Sequence, residues 1–327
     1  MKIFDNANYD FIRWRWHALI LSALLVIAGI GYGVIRGGIP LGIDFTGGTL
    51  IVVRFSQPVA EDAVRKALDP LPGEKVVQKY GEASSNEILI RLPQVSGSES
   101  GFSLEQGSQA VENALGRAGL PKFEVTNREV VGPVIGADLQ RKGIYATLAS
   151  IVGITLYIAL RFRFTFAIGA IVATFHDILV VFAMLAFFNY ELSLNVVAAI
   201  LTITGYSVND TIVIFDRVRE NSRLLRREPL EKVVNLSVNQ TLGRTVITAS
   251  TTFLAVLALF LFGGEVLHGF AFAMLVGIIS GTYSTVFIAS AIAIILSGRK
   301  ASAGRAAVPV EEAVERPRKG SRNVRVS

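Results

Sequence analysis

The chain has 327 residues, 51% of them hydrophobic, with a net charge of +6 and a mean hydropathy of +0.50. A water-soluble domain cannot display that mean without aggregating, so an ordinary soluble globular protein is excluded. There is no cysteine, which excludes disulfides, thiolate metal sites and cysteine nucleophiles.

Residues 1–15 carry Lys2, Arg13 and Arg15 ahead of the first apolar run, 16–35. A bilayer core of about 30 Å needs roughly 20 helical residues, and this run suffices. Its charged front and apolar middle are those of a secretory signal. The following "GYGVIRGGIP" has no small-x-small cleavage pattern, so the span 16–36 is expected to stay attached as a signal anchor.

Residues 37–137 have ordinary soluble composition and must lie on the far side of the membrane. "TLIVVRF" at 49–55 is β-branched and predicts a strand, and "VAEDAVRKAL" at 59–68 a helix. Strands are expected at 75–80 and 87–92, with "GEASSN" as the turn between them. A Gly/Ser-rich stretch, "SGSESG", leads into "SLEQGSQAVENALGRAG", where Ser103 and Gln106 suggest a capping box and Gly119 a helix stop. The strand "KFEVTNREV" closes the unit. The order β-α-β-β-α-β predicts a ferredoxin-like α+β sandwich, a fold that by itself identifies no function.

Residues 138–297 hold five further spans, at 143–160, 164–188, 192–215, 245–262 and 270–296, which makes the chain a polytopic α-helical membrane protein with six transmembrane helices. Arg161 and Arg163 fill the turn after the second span, six Lys/Arg lie between Arg217 and Lys232, and eight between Arg299 and Arg325. "NYEL" at 189–192 and "GGEVLHG" at 263–269 have none. The positive-inside rule then places both termini in the cytoplasm. The basic excess is thus a topology signal, and no nucleic-acid partner is expected. Gly29 with Gly33 and Gly277 with Gly281 have the spacing of close helix contacts, without naming the neighbour. The tail, 298–327, is rich in Ala, Pro, Arg and Glu, lacks aromatic residues, and is expected to be disordered.

Within the bilayer the informative residues are the polar ones. Asp210 lies six residues inside Asp216, about 9 Å at the helical rise, with Asn209 beside it. A central carboxylate costs roughly 2.5–3.5 kcal/mol on insertion scales, so it should face a protein interior, a cavity or a partner charge. Arg244, at the same cytoplasmic end, is such a partner. Two readings fit: a structural ion pair, or a protonatable site whose charge a mobile Arg244 switches. His176 and Asp177 are secondary candidates. Neighbours on a helix point about 100° apart, so they are expected to form no compact site. No G-x-x-x-x-G-K-[ST] loop and no H-E-x-x-H helix occurs, so neither ATP hydrolysis nor a metal site is expected. The contexts "FHDI" and "VNDT" lack the Tyr-Asp and Gly-x-Gly-Asp settings of intramembrane aspartyl proteases.

"GIDFTGGTL" at 42–50, "FHD" at 175–177, "GYSVNDTIVIFDRVRE" at 205–220, "NQTLGRT" at 239–245 and "GFAFAMLVGIISGTYSTVFIAS" at 269–290 resemble the SecF proteins of the SecD/SecF export family, within the resistance–nodulation–division superfamily. So does the layout of six spans with one large domain after the first. The resemblance implies a non-enzymatic, cofactor-free subunit of the bacterial inner membrane. It works with SecD beside the SecYEG channel and the SecA motor, using the proton-motive force to promote preprotein translocation and release at the periplasmic side. It places the proton pathway on Asp210 and Arg244. Gly42, Asp44, Phe45, Gly47 and Gly48 become the motif at the entrance to the periplasmic domain, where the adjacent glycines suggest a turn or hinge. Six spans are half of the twelve that such transporters use, so a complementary six-helix partner is expected within the lipid. The rival expectation is a small-molecule or lipid exporter of the same ancestry.

Overall fold

A computed structural model of the chain describes residues 7–71, 75–81, 85–92 and 104–306. Ser103 of the expected capping box, the "SGSESG" stretch and residues 307–327 lie outside the described residues, as does the Gln106 side chain.

Among the described residues, six helical segments are long and apolar enough to cross a membrane. They are α1 (Arg15–Ile35), entered through a 3₁₀ turn at Ile12–Trp14, then α5 (Pro133–Arg161), α6 (Phe164–Phe188), α7 (Leu194–Leu224) and α8 (Leu230–Phe262). The sixth runs unbroken through α9 (Glu265–Ser284), a π-helical turn at Thr285–Ala289 and α10 (Ser290–Ala306). Between α1 and α5 come a short helical turn α2 (Ile43–Thr46), β1 (Gly48–Phe55), α3 (Glu61–Ala67), β2 (Val76–Tyr80), β3 (Glu87–Leu92), α4 (Leu104–Arg117) and β4 (Phe123–Val131).

Several helices outrun their apolar stretches. The first of these, α5, starts at Pro133 rather than 143: proline suits the first helical position, and Asp138 pairs with Lys142 one turn on at 2.8 Å. At the opposite end, α7 continues past 215 to Leu224 and α8 begins at Leu230 rather than 245. There Arg217 holds Glu220 at 2.6 Å, and Asn221 donates to Ser237 and Gln240 across the two helices. Apolarity marks the lipid-embedded part of a helix, while paired polar residues carry it into water. The last helix likewise extends to Ala306, past the expected start of the tail at 298, through the alanine-containing "KASAGRA".

In the soluble unit the sheet order is β2-β3-β1-β4 with every neighbouring pair antiparallel, the ferredoxin-like arrangement. Both helices cover one face, where Ile51, Val53 and Phe55 of β1 pack with Val64, Leu68, Val111 and Leu115. On the opposite face Leu50, Val52 and Leu89 bury against Ile43 of α2. Both faces of β1 are therefore covered, which accounts for its near-continuous apolar run.

The glycine pairs acquire neighbours. A Cβ on Gly29 would strike Ala183 of α6, and one on Gly33 would touch Ala186. Gly277 and Gly281 of α9 lie against Ile203 and Ser207 of α7. Gly169 of α6 is tighter in a different way: its Cβ would fall 2.6 Å from the carbonyl oxygen of Ala289, in the π-helical turn, where no rotamer change relieves the clash. Gly169→Ala should therefore lower unfolding stability in detergent by about 1–3 kcal/mol, as overpacking does. Gly31→Ala, which meets nothing within 4 Å, should be neutral or slightly stabilising in the same thermal melt.

Candidate functional site

The lipid interior offers no hydrogen bonds, so a polar side chain on a spanning helix must find its partners within the protein. Asp177 of α6 does so completely. Its side chain is 2% exposed. Oδ2 accepts from Ser207 Oγ of α7 at 2.6 Å and from Ser284 Oγ of α9 at 2.7 Å, and Oδ1 accepts from Ser280 Oγ of α9 at 2.6 Å. Ser280 and Ser284 are one turn apart and so share a helix face. His176 Nδ1 lies 3.2 Å from Oδ1, its ring folded back along the helix and tilted against Tyr283. The two neighbours thus meet, where the 100° offset alone predicts that they would not: a long side chain can swing across that angle. One turn further along, Thr211 of α7 meets Thr285 at 3.0 Å, where the π-helical turn begins. π-Helical turns inside α-helices concentrate at functional sites.

Asp210, three residues after Ser207 on α7, is different. Thr245 Oγ1 of α8 donates to Oδ1 at 2.8 Å, while Oδ2 is buried and has no hydrogen-bond partner among the described residues. Asp210 and Arg244 form no ion pair: the Arg244 side chain is exposed, and the next residue, Thr245, supplies the bond. Tyr206, a turn before Asp210, lies beside Thr248 and Thr252 of α8. Asn209 is exposed, as are Thr202 on α7 and Arg244, Thr248 and Thr251 on α8. Polar side chains turned outward from spanning helices call for a protein partner.

The "GIDFTGG" segment forms the joint between the soluble unit and the bundle. Asp44 Oδ2 accepts the backbone N–H of Leu194, the first residue of α7, at 2.8 Å. Ser193 Oγ caps the same helix end by accepting from Val196 N–H at 3.3 Å. Gly42 N–H donates to Leu192 O and Leu192 N–H to Pro40 O, both at 2.8 Å. From the underside of the sheet, Arg91 of β3 donates to Leu41 O at 2.9 Å and forms an ion pair with Glu191 in the α6–α7 connection. The chain then passes through Gly47 and Gly48, with φ of +71° and +128°, into β1. Only glycine takes such angles without strain. Phe45 lines an apolar cleft beside Ile151, Phe175 and Ile178.

Sequence reasoning missed Arg91 and Glu191, and Thr245 beside the chosen arginine. It also missed Asn239 of "NQTLGRT", which clasps the backbone N–H and carbonyl of Tyr9 at 2.8 Å each. Among the described residues no cluster of three or more His, Asp or Glu could hold a metal ion.

Two family models match: "Protein export membrane protein SecD/SecF, C-terminal" over residues 110–299 and "SecD/SecF GG Motif" over residues 36–59. The protein translocase subunit SecF of Rhodothermus marinus is 41% identical, the match covering 94% of this chain and 99% of that protein. SecF of Escherichia coli is 39% identical, with 89% of each chain covered. The crystal structure of SecDF from Thermus thermophilus, a translocon-associated membrane protein, superposes with a TM-score of 0.81 at 37% identity. That match takes in 91% of this chain, which spans 40% of the SecDF chain.

Removing the Asp177 carboxylate leaves three buried hydroxyls without their acceptor, at about 1 kcal/mol or more each. Asp177→Leu should thus lower unfolding stability in detergent by at least about 3 kcal/mol. Adding Ser280→Ala and Ser284→Ala should recover part of that loss, because only the Ser207 hydroxyl then lacks its acceptor.

Proposed function

The chain belongs to the SecD/SecF family of protein-export membrane proteins, and we propose that it acts as the SecF-type auxiliary subunit of a bacterial Sec translocase, drawing on the proton-motive force through Asp210. It is a multi-pass membrane protein with six apolar helices. Both termini face the cytoplasm and the ferredoxin-like unit faces the periplasm, a reading that rests on the placement of Lys and Arg. It carries out no chemistry of its own; its output is movement.

SecD supplies the complementary six helices. This chain spans 40% of the SecDF chain it superposes on, and the polar side chains exposed on α7 and α8 need cover. The channel SecYEG, the motor SecA and the emerging preprotein complete the assembly. The relatives described are protein translocase subunits, which favours export of preproteins over export of small molecules or lipids.

The observation that carries the proton reading is the contrast between two carboxylates in the bundle. Asp177 accepts three serine hydroxyls from α7 and α9, so it fixes α6, α7 and α9 together. Asp210 has one bonded oxygen and one buried oxygen without a partner among the described residues. A proton arriving at that oxygen neutralises the group and makes it a donor, which alters what α7 can bond to on α8. Approach of the Arg244 guanidinium to the carboxylate favours the ionised form. Loss and gain of the proton therefore alternate between two packings of α7 on α8, and the periplasmic unit follows.

Asp210→Asn preserves size and an acceptor but cannot titrate. In membrane vesicles holding the complete translocase with SecD, it should abolish the part of preprotein export that depends on the proton gradient. Arg244→Lys, which keeps the charge, should retain more of it than Arg244→Met. Gradient-dependent export that survives Asp210→Asn unchanged would remove Asp210 from the pathway.

A further inference from the structure

The soluble unit is tied to the membrane bundle by three routes. The link from α1 passes through Gly37 and Gly38, both exposed, at φ of +85° and +110°. Their N–H groups close the end of α1, Gly37 on Val34 O at 3.1 Å and Gly38 on Gly33 O at 2.8 Å. The link to α5 is short, with only Gly132 between β4 and the helix, and α5 itself is barely buried in the bundle. The third route is not covalent. It joins α2 to the start of α7, the helix that bears Asp210.

We propose that Asp44 is a positioning residue that fastens α7 to the periplasmic unit, so that movement begun at Asp210 reaches the sheet through its bond to the Leu194 N–H. This rests on the proton-coupled reading above and specifies how the movement leaves the membrane. Four observations support it. Asp44 accepts from the first backbone N–H of α7, an end of the helix that also favours a negative charge. The neighbouring Gly42 and Pro40 bond to Leu192, just before that helix begins. Arg91 and Glu191 clamp the same connection from β3, with side chains only 10% and 19% exposed. Finally, α5 packs backbone to backbone on α2: a Cβ on Gly136 would lie 3.1 Å from Gly47 N and 3.2 Å from Phe45 O. Only Phe45, Thr46 and Gly47 separate Asp44 from β1, and the Gly47 N–H closes that turn on Ile43 O at 2.9 Å.

The test uses the full chain with its SecD partner in the complete translocase, in membrane vesicles, and reads the gradient-dependent component of preprotein export. Asp44→Ala should reduce that component by about five-fold or more, the factor to which loss of one helix cap corresponds. Asn caps as well as Asp does, so Asp44→Asn should keep at least about half.

A disulfide separates lost fastening from lost folding. An ideal Cβ on Gly42 lies 3.4 Å from Ser193 Cβ, close to disulfide geometry, and the chain has no other cysteine. With Gly42→Cys and Ser193→Cys added to Asp44→Ala, oxidation should restore gradient-dependent export and reduction should remove it again. If Asp44→Ala keeps full gradient dependence, or if the oxidised pair restores nothing, the proposal is overturned. The same follows if oxidising the pair with Asp44 intact blocks export, since the joint would then have to open in each cycle. Asp210→Asn run in parallel keeps the two claims apart. Export lost there but kept in Asp44→Ala sinks the fastening alone, whereas export kept in Asp210→Asn sinks the proton reading itself.

Discussion

The bundle is organised by the cost of placing a carboxylate where there is no water to solvate it. That cost is met in full at Asp177, whose two oxygens receive three serine hydroxyls and lie against a histidine ring nitrogen. Because the serines sit on α7 and α9 while the acid sits on α6, satisfying one side chain fixes three helices in register. The close approaches at Gly277 and Gly281 follow from the same register, since Gly281 lies directly on Ser207. A Cβ added at Gly281 would press on Ser207 of the network, and one at Gly277 on Ile203.

Asp210 gains its significance from this background. It shares α7 with Ser207, but it faces α8, a helix that the bundle covers far less. With one oxygen bound to Thr245 and the other left without a protein donor among the described residues, it can change its bonding without dismantling the packing around Asp177. The fixed acid thus provides a frame against which the second can work. The soluble unit is joined to the same helix at its other end, through Asp44 and the paired Arg91 and Glu191. Because Ser207 ties α7 to α6 and α9 through Asp177, a shift of α7 against α8 carries the three helices together, and the soluble unit with them.

How much of this was legible in the sequence depended on distance along the chain. The six spans could be read because twenty apolar residues in a row have few other uses, and the strand order of the soluble unit followed from the succession of β and α segments. The helix ends could not, since α5, α7 and α8 continue through charged residues that pair with one another outside the lipid. Asp210 and Arg244 were selected by depth and charge alone. Asp177 ranked below them because its donors stand 30, 103 and 107 residues away, and serines inside apolar spans carry no obvious label. For Arg91 and Glu191 the difficulty was the same: one reads as the end of a strand, the other as part of a four-residue turn. Only the fold places them side by side.

The central claim is that Asp210, and not the better-satisfied Asp177, exchanges protons as the complex works. Infrared difference spectroscopy of the complete complex in lipid vesicles, recorded as a proton gradient is imposed, resolves carboxyl groups that gain or lose a proton. The account predicts a carboxyl difference band that disappears in Asp210→Asn and persists in Asp177→Asn. A band that survives in Asp210→Asn and vanishes in Asp177→Asn would contradict it.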